Sequence, residues 1–194
     1  MSRTGRISRS TKETSVDVEV ELDNYNEPRI DTSVPFFDHM LEQLGKHSGI
    51  AVRVESDGDT EVDSHHLVED VGITLGKAFD EALGDRKGIR RYASITLPFD
   101  EVLVRVSLDI SGRGYLDYGL PIDGDVEGFP LEVVPEFFRG FTVQSGSTLH
   151  IDLLKEGNRH HMLEAVFKAV ARVYRQGVAQ VDSSIPSTKG TLDS

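Results

Sequence analysis

Apolar and polar positions alternate along the first part of the chain. Val16, Val18, Val20 and Leu22 interleave with Asp17, Glu19 and Glu21, the two-residue period of a half-buried strand. Val104, Val106, Leu108 and Ile110 repeat that period around Arg105, Ser107 and Asp109. Each run leads to a proline and an aromatic pair, Pro35-Phe36-Phe37 in one case and Pro135-Glu136-Phe137-Phe138 in the other. Proline near the first helical position suits a helix start. Phe36, Phe37, Met40, Leu41 and Leu44 then fall on one helical face. A further alternating strand follows in both cases: Ile50, Val52 and Val54, then Leu149, Ile151 and Leu153. Two long helical patterns close the series, about 65–83 and about 160–176. Leu75, Phe79 and Leu83 line the first; Leu163, Phe167, Val170 and Tyr174 line the second.

The chain thus reads as one pattern used twice. Each half runs strand, strand, helix, one or more strands, helix. Residues 1–88 form the first α/β repeat, and 89–194 form the second with a C-terminal tail. The joint falls at Gly84–Gly88, and the halves make one compact unit. The expected class is α+β, with two sheets each covered by two helices. The segment 111–130, rich in Gly, Asp and Pro, reads as loop. The tail 182–194 reads as mobile unless a ligand holds it.

Both long helices open with the same five-residue pattern. His65-His66-Leu67-Val68-Glu69 and His160-His161-Met162-Leu163-Glu164 lie 95 residues apart. Residues four apart share a helix face, while neighbours point roughly 100° apart. His65 and Glu69 can therefore grip one ion together, and His66 must look elsewhere. The same holds for His160, Glu164 and His161. A two-fold relation between the repeats suggests a swap: His65, Glu69 and His161 at one ion, His160, Glu164 and His66 at the other. His39 and Glu136 on the aromatic helices are a further candidate ligand apiece. The plainer alternative makes these polar residues at helix starts, where acidic side chains are favoured.

Composition narrows the chemistry. There is no cysteine, so any metal must be held by His, Asp or Glu, and disulfides are excluded. Imidazole with carboxylate suits Mn, Fe or Zn, and several ligands with open positions lean towards Mn. A formal net charge of −12 disfavours nucleic acid as a main partner. No apolar run approaches the roughly 18 residues of a membrane span, and the N-terminus lacks the apolar stretch of a signal peptide. A cytoplasmic protein is expected. Among the 33 acids Asp leads Glu, and among the 21 Lys and Arg residues Arg leads. That balance suits a salt-rich cytoplasm, as in a halophile, and equally an ordinary acidic enzyme.

Four segments carry a family resemblance: FFDHMLEQLGKHSG, DSHHLVEDVGITLGKA, GNRHHMLEAVFKAVAR and IPSTKG. They resemble the signatures of the imidazoleglycerol-phosphate dehydratase family of histidine biosynthesis. The resemblance runs from TKET at 11–14 to STKG at 187–190. It implies two fused repeats of a two-layer α/β unit, similar to domain 2 of ribosomal protein S5. Helices would pack on four-stranded sheets, each repeat with a left-handed crossover against the usual preference. It further implies two Mn2+ ions per active site and a homo-oligomer of twenty-four chains with active sites between subunits.

Carried onto this chain, the resemblance assigns one metal to His39, His66, His160 and Glu164. The other goes to His65, Glu69, His161 and the residue before the second aromatic pair. The family has histidine there; this chain has Glu136. His66 and His161 would also take part in catalysis. Glu13 would be the proton shuttle, although the sequence alone makes it a solvated strand-edge carboxylate. The phosphate substrate would be held by Arg91, Arg113, Lys168, Ser187, Thr188 and Lys189, assisted by Gln43 and His47. On a helix, His39, Gln43 and His47 form one stripe. Without the resemblance, Arg91 and Arg113 read as surface charge and 187–190 as part of the tail. His150 resembles a structural strand histidine of the family.

The implied reaction removes water across two adjacent carbons of imidazole glycerol phosphate. Metal on the ring nitrogen would stabilise the electron density left as a barely acidic proton departs. An enol results and tautomerises to imidazole acetol phosphate. Two other readings use the same residues: a di-metal hydrolase, and a non-catalytic metal-binding cage.

Overall fold

The computed structural model describes residues 2–60, 63–121 and 123–192. The first repeat holds β1 (Thr4–Ser10), β2 (Thr14–Glu21), β3 (Arg29–Asp31), α1 (Pro35–Ser48), β4 (Ala51–Gly58) and α2 (His65–Leu83). The second begins with β5 (Tyr92–Phe99), β6 (Val102–Asp109) and β7 (Tyr115–Gly119). A two-residue hairpin, β8 (Asp125–Val126) and β9 (Phe129–Pro130), leads to α3 (Val134–Ser145), β10 (Thr148–Lys155) and α4 (Arg159–Gly177). The sheets are ordered β1-β2-β4-β3 and β5-β6-β10-β7. β3–β4 and β7–β10 pair in parallel; the other pairs in these two sheets are antiparallel.

The alternation read from sequence settles onto these strands. Val16, Val18 and Val20 of β2 are buried, with Asp17 and Glu19 on the opposite face. Val18 sits opposite Val54 of β4, and Val106 opposite Ile151 of β10. The segment 111–130 corrects the loop expected there. It contains β7, the edge partner of β10, and the β8–β9 hairpin. In β7 only Leu116 and Tyr118 turn inward, and only partly. Edge position leaves one side unpaired, so such a strand needs little apolar content and sends a weak signal. β3 was missed for a related reason: its three residues include one apolar side chain. Each repeat therefore runs three sheet strands, helix, strand, helix, the second with the β8–β9 hairpin inserted before its first helix.

Helix ends follow local rules. α1 and α3 carry proline in their first two positions and end at Gly49 and Gly146 in left-handed conformation. Asn158 caps α4, its side-chain oxygen accepting the backbone N–H groups of His160 and His161. At α2, Asp63 accepts the His65 N–H at 2.7 Å.

Helix pairing crosses between the repeats. α1 packs on α4, and α2 packs on α3. α2 also covers β1, β2 and β4, while α4 covers β5 and β6, so a single apolar core spans both halves. The α2–α3 contact is close enough to require glycine. A Cβ on Gly72 would lie 2.3 Å from the Phe137 carbonyl oxygen. The α1–α4 pairing has the functional consequence: it brings His39 of one repeat to the HHxxE pattern of the other.

Candidate active site

Among the described residues, three clusters of ligand-type side chains form. The first joins α1 to α4. Glu164 Oε2 lies 3.1 Å from His160 Nε2 and 3.6 Å from His39 Nε2. Glu164 Oε1 accepts from Lys168 Nζ at 2.6 Å. The two oxygens thus serve different partners, one turned to the imidazoles and one to the ammonium. Burial pushes the Glu164 carboxyl up, but Lys168, His160 and His39 outweigh it and hold the pKa below its ordinary value.

The second cluster stands at the start of α2. His66 Nδ1 lies 3.3 Å from Asp59 Oδ2 and 3.7 Å from Glu13 Oε2. The Asp59 hydrogen bond, then the Glu13 charge, raises the His66 pKa. The third is its counterpart at the start of α4. His161 Nδ1 lies 3.1 Å from Glu101 Oε2 and 3.9 Å from Asp100 Oδ2. The backbone N–H of Asn158, then Glu101's own backbone and the His161 ring, push the Glu101 carboxyl down to about 2. In each cluster three ligand atoms lie within 4.8 Å of one another.

The metal residues expected from the sequence are thus partly gathered. His39, His160 and Glu164 meet. His65 and Glu69 approach to 4.0 Å on one face of α2. His66 and His161 do not join either group within one chain, because a residue adjacent on a helix faces away. They turn instead to the strand-turn carboxylates. Glu136 forms an ion pair with Arg139 one turn along α3. Asp59, Asp100 and Glu101 were not singled out from sequence. The repeat carried a signal for the last: Glu101 immediately precedes β6 as Glu13 precedes β2.

The substrate residues fall into two groups. Arg91, Arg113, Ser187, Thr188 and Lys189 line one cavity of about 680 Å³, with Tyr92 and Ile185. Arg91 has a left-handed backbone, φ 72°, a costly conformation for a side chain of its size. Its guanidinium is anchored by Asp109 at 2.6 and 3.1 Å and donates to the Pro186 carbonyl at 2.7 Å. The Asp109 bond raises its pKa. The tail expected to be loose is tied back through residue 192, where the described portion ends: Gly88 N–H donates to the Ser184 carbonyl, and Leu192 is buried. Asp193 and Ser194 lie outside the described residues.

Lys168 belongs to the other group. Its ammonium bonds Glu164 and sits 3.9 Å over the Phe99 ring. His47, half-buried on α1, has its pKa lowered by burial, then by the charges of Lys168 and Arg172. The stripe His39, Gln43, His47 thus begins at the Glu164 cluster and runs towards the cations of α4. His150 pairs with Asp117 at 3.2 Å and touches Tyr115, away from all three clusters.

Comparison with known proteins gives the family. The family model for imidazoleglycerol-phosphate dehydratase matches residues 32–173. A protein of that name from Endomicrobium trichonymphae is 47% identical over 192 residues, covering 98% of both chains. Another, from Burkholderia pseudomallei (strain 1710b), is 46% identical over 194 residues, covering 98% of this chain and all of its own. Among solved structures, imidazoleglycerol-phosphate dehydratase from Staphylococcus aureus superposes with a TM-score of 0.83 at 35% identity, covering 92% of this chain and 99% of its own. The Pyrococcus furiosus structure, a complex with (S)-C348, gives 0.83 at 34% identity over 95% and 99%. With a family model over most of its length and full-length relatives near half identity, the chain belongs to the imidazoleglycerol-phosphate dehydratase family.

Proposed function

We propose that this hydro-lyase of histidine biosynthesis works with two Mn2+ ions per active site, each held by residues of more than one subunit in a cytoplasmic twenty-four-chain assembly. One ion would be held by His39, His160 and Glu164, with His66 from a neighbouring chain. The other would be held by His65, Glu69 and Glu136, with the neighbour's His161. One observation carries the reading. His39, His160 and Glu164 converge from different repeats into an imidazole–carboxylate triad, a donor set that suits Mn2+, while His66 and His161 project elsewhere. A bound divalent ion supplies Lewis acidity towards the substrate's ring nitrogen.

The chain's residues do the rest. Phosphate needs cationic donors, and a chain of net charge −12 has to place them deliberately. Arg91, Arg113, Ser187, Thr188 and Lys189 share one cavity and would take the phosphate there. Lys168, Gln43 and His47 would guide the substrate between that cavity and the metal cluster. Glu13 takes the proton from the second carbon out from the ring, whose own hydroxyl is retained, and returns a proton to the hydroxyl departing from the carbon beside the ring, which leaves as water. Its exposed carboxylate, 3.7 Å from His66, is free to move between the two positions. The enol left behind tautomerises to the ketone. No described helix is long and apolar enough to cross a membrane.

The test combines elemental analysis with a dehydration assay on recombinant protein. The expected result is two ions per chain and an absorbing enol formed without phosphate release. Release of inorganic phosphate in place of dehydration would mark a hydrolase. Full dehydration by thoroughly metal-free protein would end the metal reading.

A further inference from the structure

The repeat places one carboxylate directly before the second strand of each half: Glu13 before β2 and Glu101 before β6. Both face the second histidine of an HHxxE pattern, yet they are held differently. Glu13 approaches His66 only to 3.7 Å. Glu101 accepts the Asn158 backbone N–H at 2.7 Å through Oε1 and faces His161 Nδ1 at 3.1 Å through Oε2. Asn158 in turn caps the backbone N–H groups of His160 and His161. One carboxylate therefore joins the β5–β6 turn, the α4 cap and the His161 ring.

Glycine makes room for it. A Cβ on Gly157 would lie 2.4 Å from Glu101 Oε1 and 2.7 Å from the carboxyl carbon. No side chain fits there without displacing Glu101. A second wall comes from Phe99, whose ring meets the His161 ring edge-on at 5.2 Å between centroids. The ring is thus gripped at Nδ1 and along its side.

We propose that Glu101, seated in the space left by Gly157, is a positioning residue that keeps His161 protonated at Nδ1 and so leaves Nε2 free to bind a metal ion. The physical reason is general. A neutral imidazole carries one ring proton, and a carboxylate acceptor beside one nitrogen draws it there. The other nitrogen then presents its lone pair in a fixed direction. Equivalent positions of the two repeats are thus held differently: Glu101 is gripped at both oxygens and would orient a ligand, while Glu13 has only the longer approach to His66 and would carry protons. The proposal rests on His161 being a metal ligand.

Four proteins test it: the parent, Glu101→Gln, Gly157→Ala and His161→Ala. In Glu101→Gln the carbonyl oxygen can still accept from Asn158, but the amide N–H2 then faces Nδ1 and favours the tautomer with its proton on Nε2. Mn2+ affinity is read by competition with a chelator, and thermal midpoints are read on metal-free protein. Glu101→Gln and Gly157→Ala should each weaken one of the two Mn2+ sites by roughly 10–100-fold. For Glu101→Gln, kcat should fall more than KM rises, and the metal-free midpoint should stay near the parent's. His161→Ala should lose that ion altogether. If His161→Ala loses an ion but Glu101→Gln binds both as tightly as the parent, Glu101 is only a helix-capping carboxylate and the proposal is wrong. It is equally wrong if Glu101→Gln lowers the metal-free midpoint enough to account for the lost affinity. If His161→Ala keeps both ions, His161 is no ligand, and the metal reading fails at that residue together with the proposal.

Discussion

Residue by residue, Glu136 stands where the family resemblance led the sequence reading to expect histidine, and its surroundings make that difference testable. It stands immediately before Phe137 and Phe138, both fully buried, so those rings anchor the first turn of α3 while Glu136 stays half-buried. Its carboxylate pairs with Arg139 on the same helix. An exposed ion pair of this kind contributes about 0.2–1 kcal/mol, small against the attraction of a carboxylate for a divalent ion, so the pair does not hold Glu136 back. A carboxylate in place of a neutral imidazole adds negative charge, favours a hard ion such as Mn2+ and makes the bound metal a slightly weaker Lewis acid. Glu136→Gln should therefore lose occupancy at one metal site, whereas Glu136→His should retain it; elemental analysis of the purified variants checks both. Full metal content and full activity in Glu136→Ala would make Glu136 a bystander.

Whole elements were legible to very different degrees. The long helices were plain because Leu75, Phe79, Leu163 and Phe167 recur at helical spacing over nineteen-residue stretches. β2 and β6 were plain because one face is core and the other solvent. β3 and β7 were not, since short edge strands need few apolar residues. At the site, His160 with Glu164 followed from type and spacing, while His39 was a candidate ligand whose place beside them came from the family resemblance. Glu101, Asp100 and Asp59 did not, because acidic residues in turns are common and only the folded chain shows which ones face a histidine. Nor could sequence foretell that α2 and α3 approach closely enough to need bare backbone. Gly72→Ala tests that contact. In an open helix the change would gain about 1 kcal/mol of helix propensity. Here the added Cβ would sit 2.3 Å from a backbone oxygen that cannot swing aside. Overpacking should dominate at about 1–3 kcal/mol, lowering the thermal midpoint by roughly 2–4 °C per kcal/mol. A raised midpoint would show that the helices separate at little cost.

For the molecule as a whole, the same geometry turns a question of metal binding into one of assembly. His39, His160 and Glu164 meet inside one chain, while His66 and His161 stand on the next helical positions and face outward to the strand turns. If those two histidines complete sites on neighbouring chains, each ion is a bond between subunits as well as a Lewis acid. The chain's charge opposes that association. Each subunit carries a formal −12, so packing many together costs electrostatic energy that bound divalent cations offset and salt screens. On that reading, removing the metal would delete both the bridging bonds and the neutralising charge. Chelation should therefore break the assembly into smaller rings, more completely at low ionic strength than at high, and restored Mn2+ should rebuild it. Static light scattering before chelation, after it and after Mn2+ is returned measures the mass directly. A mass that stays constant through complete metal removal at low salt would count against metal-dependent assembly. A mass that falls, with the loss suppressed by salt, is the outcome expected of ions shared between highly acidic neighbours.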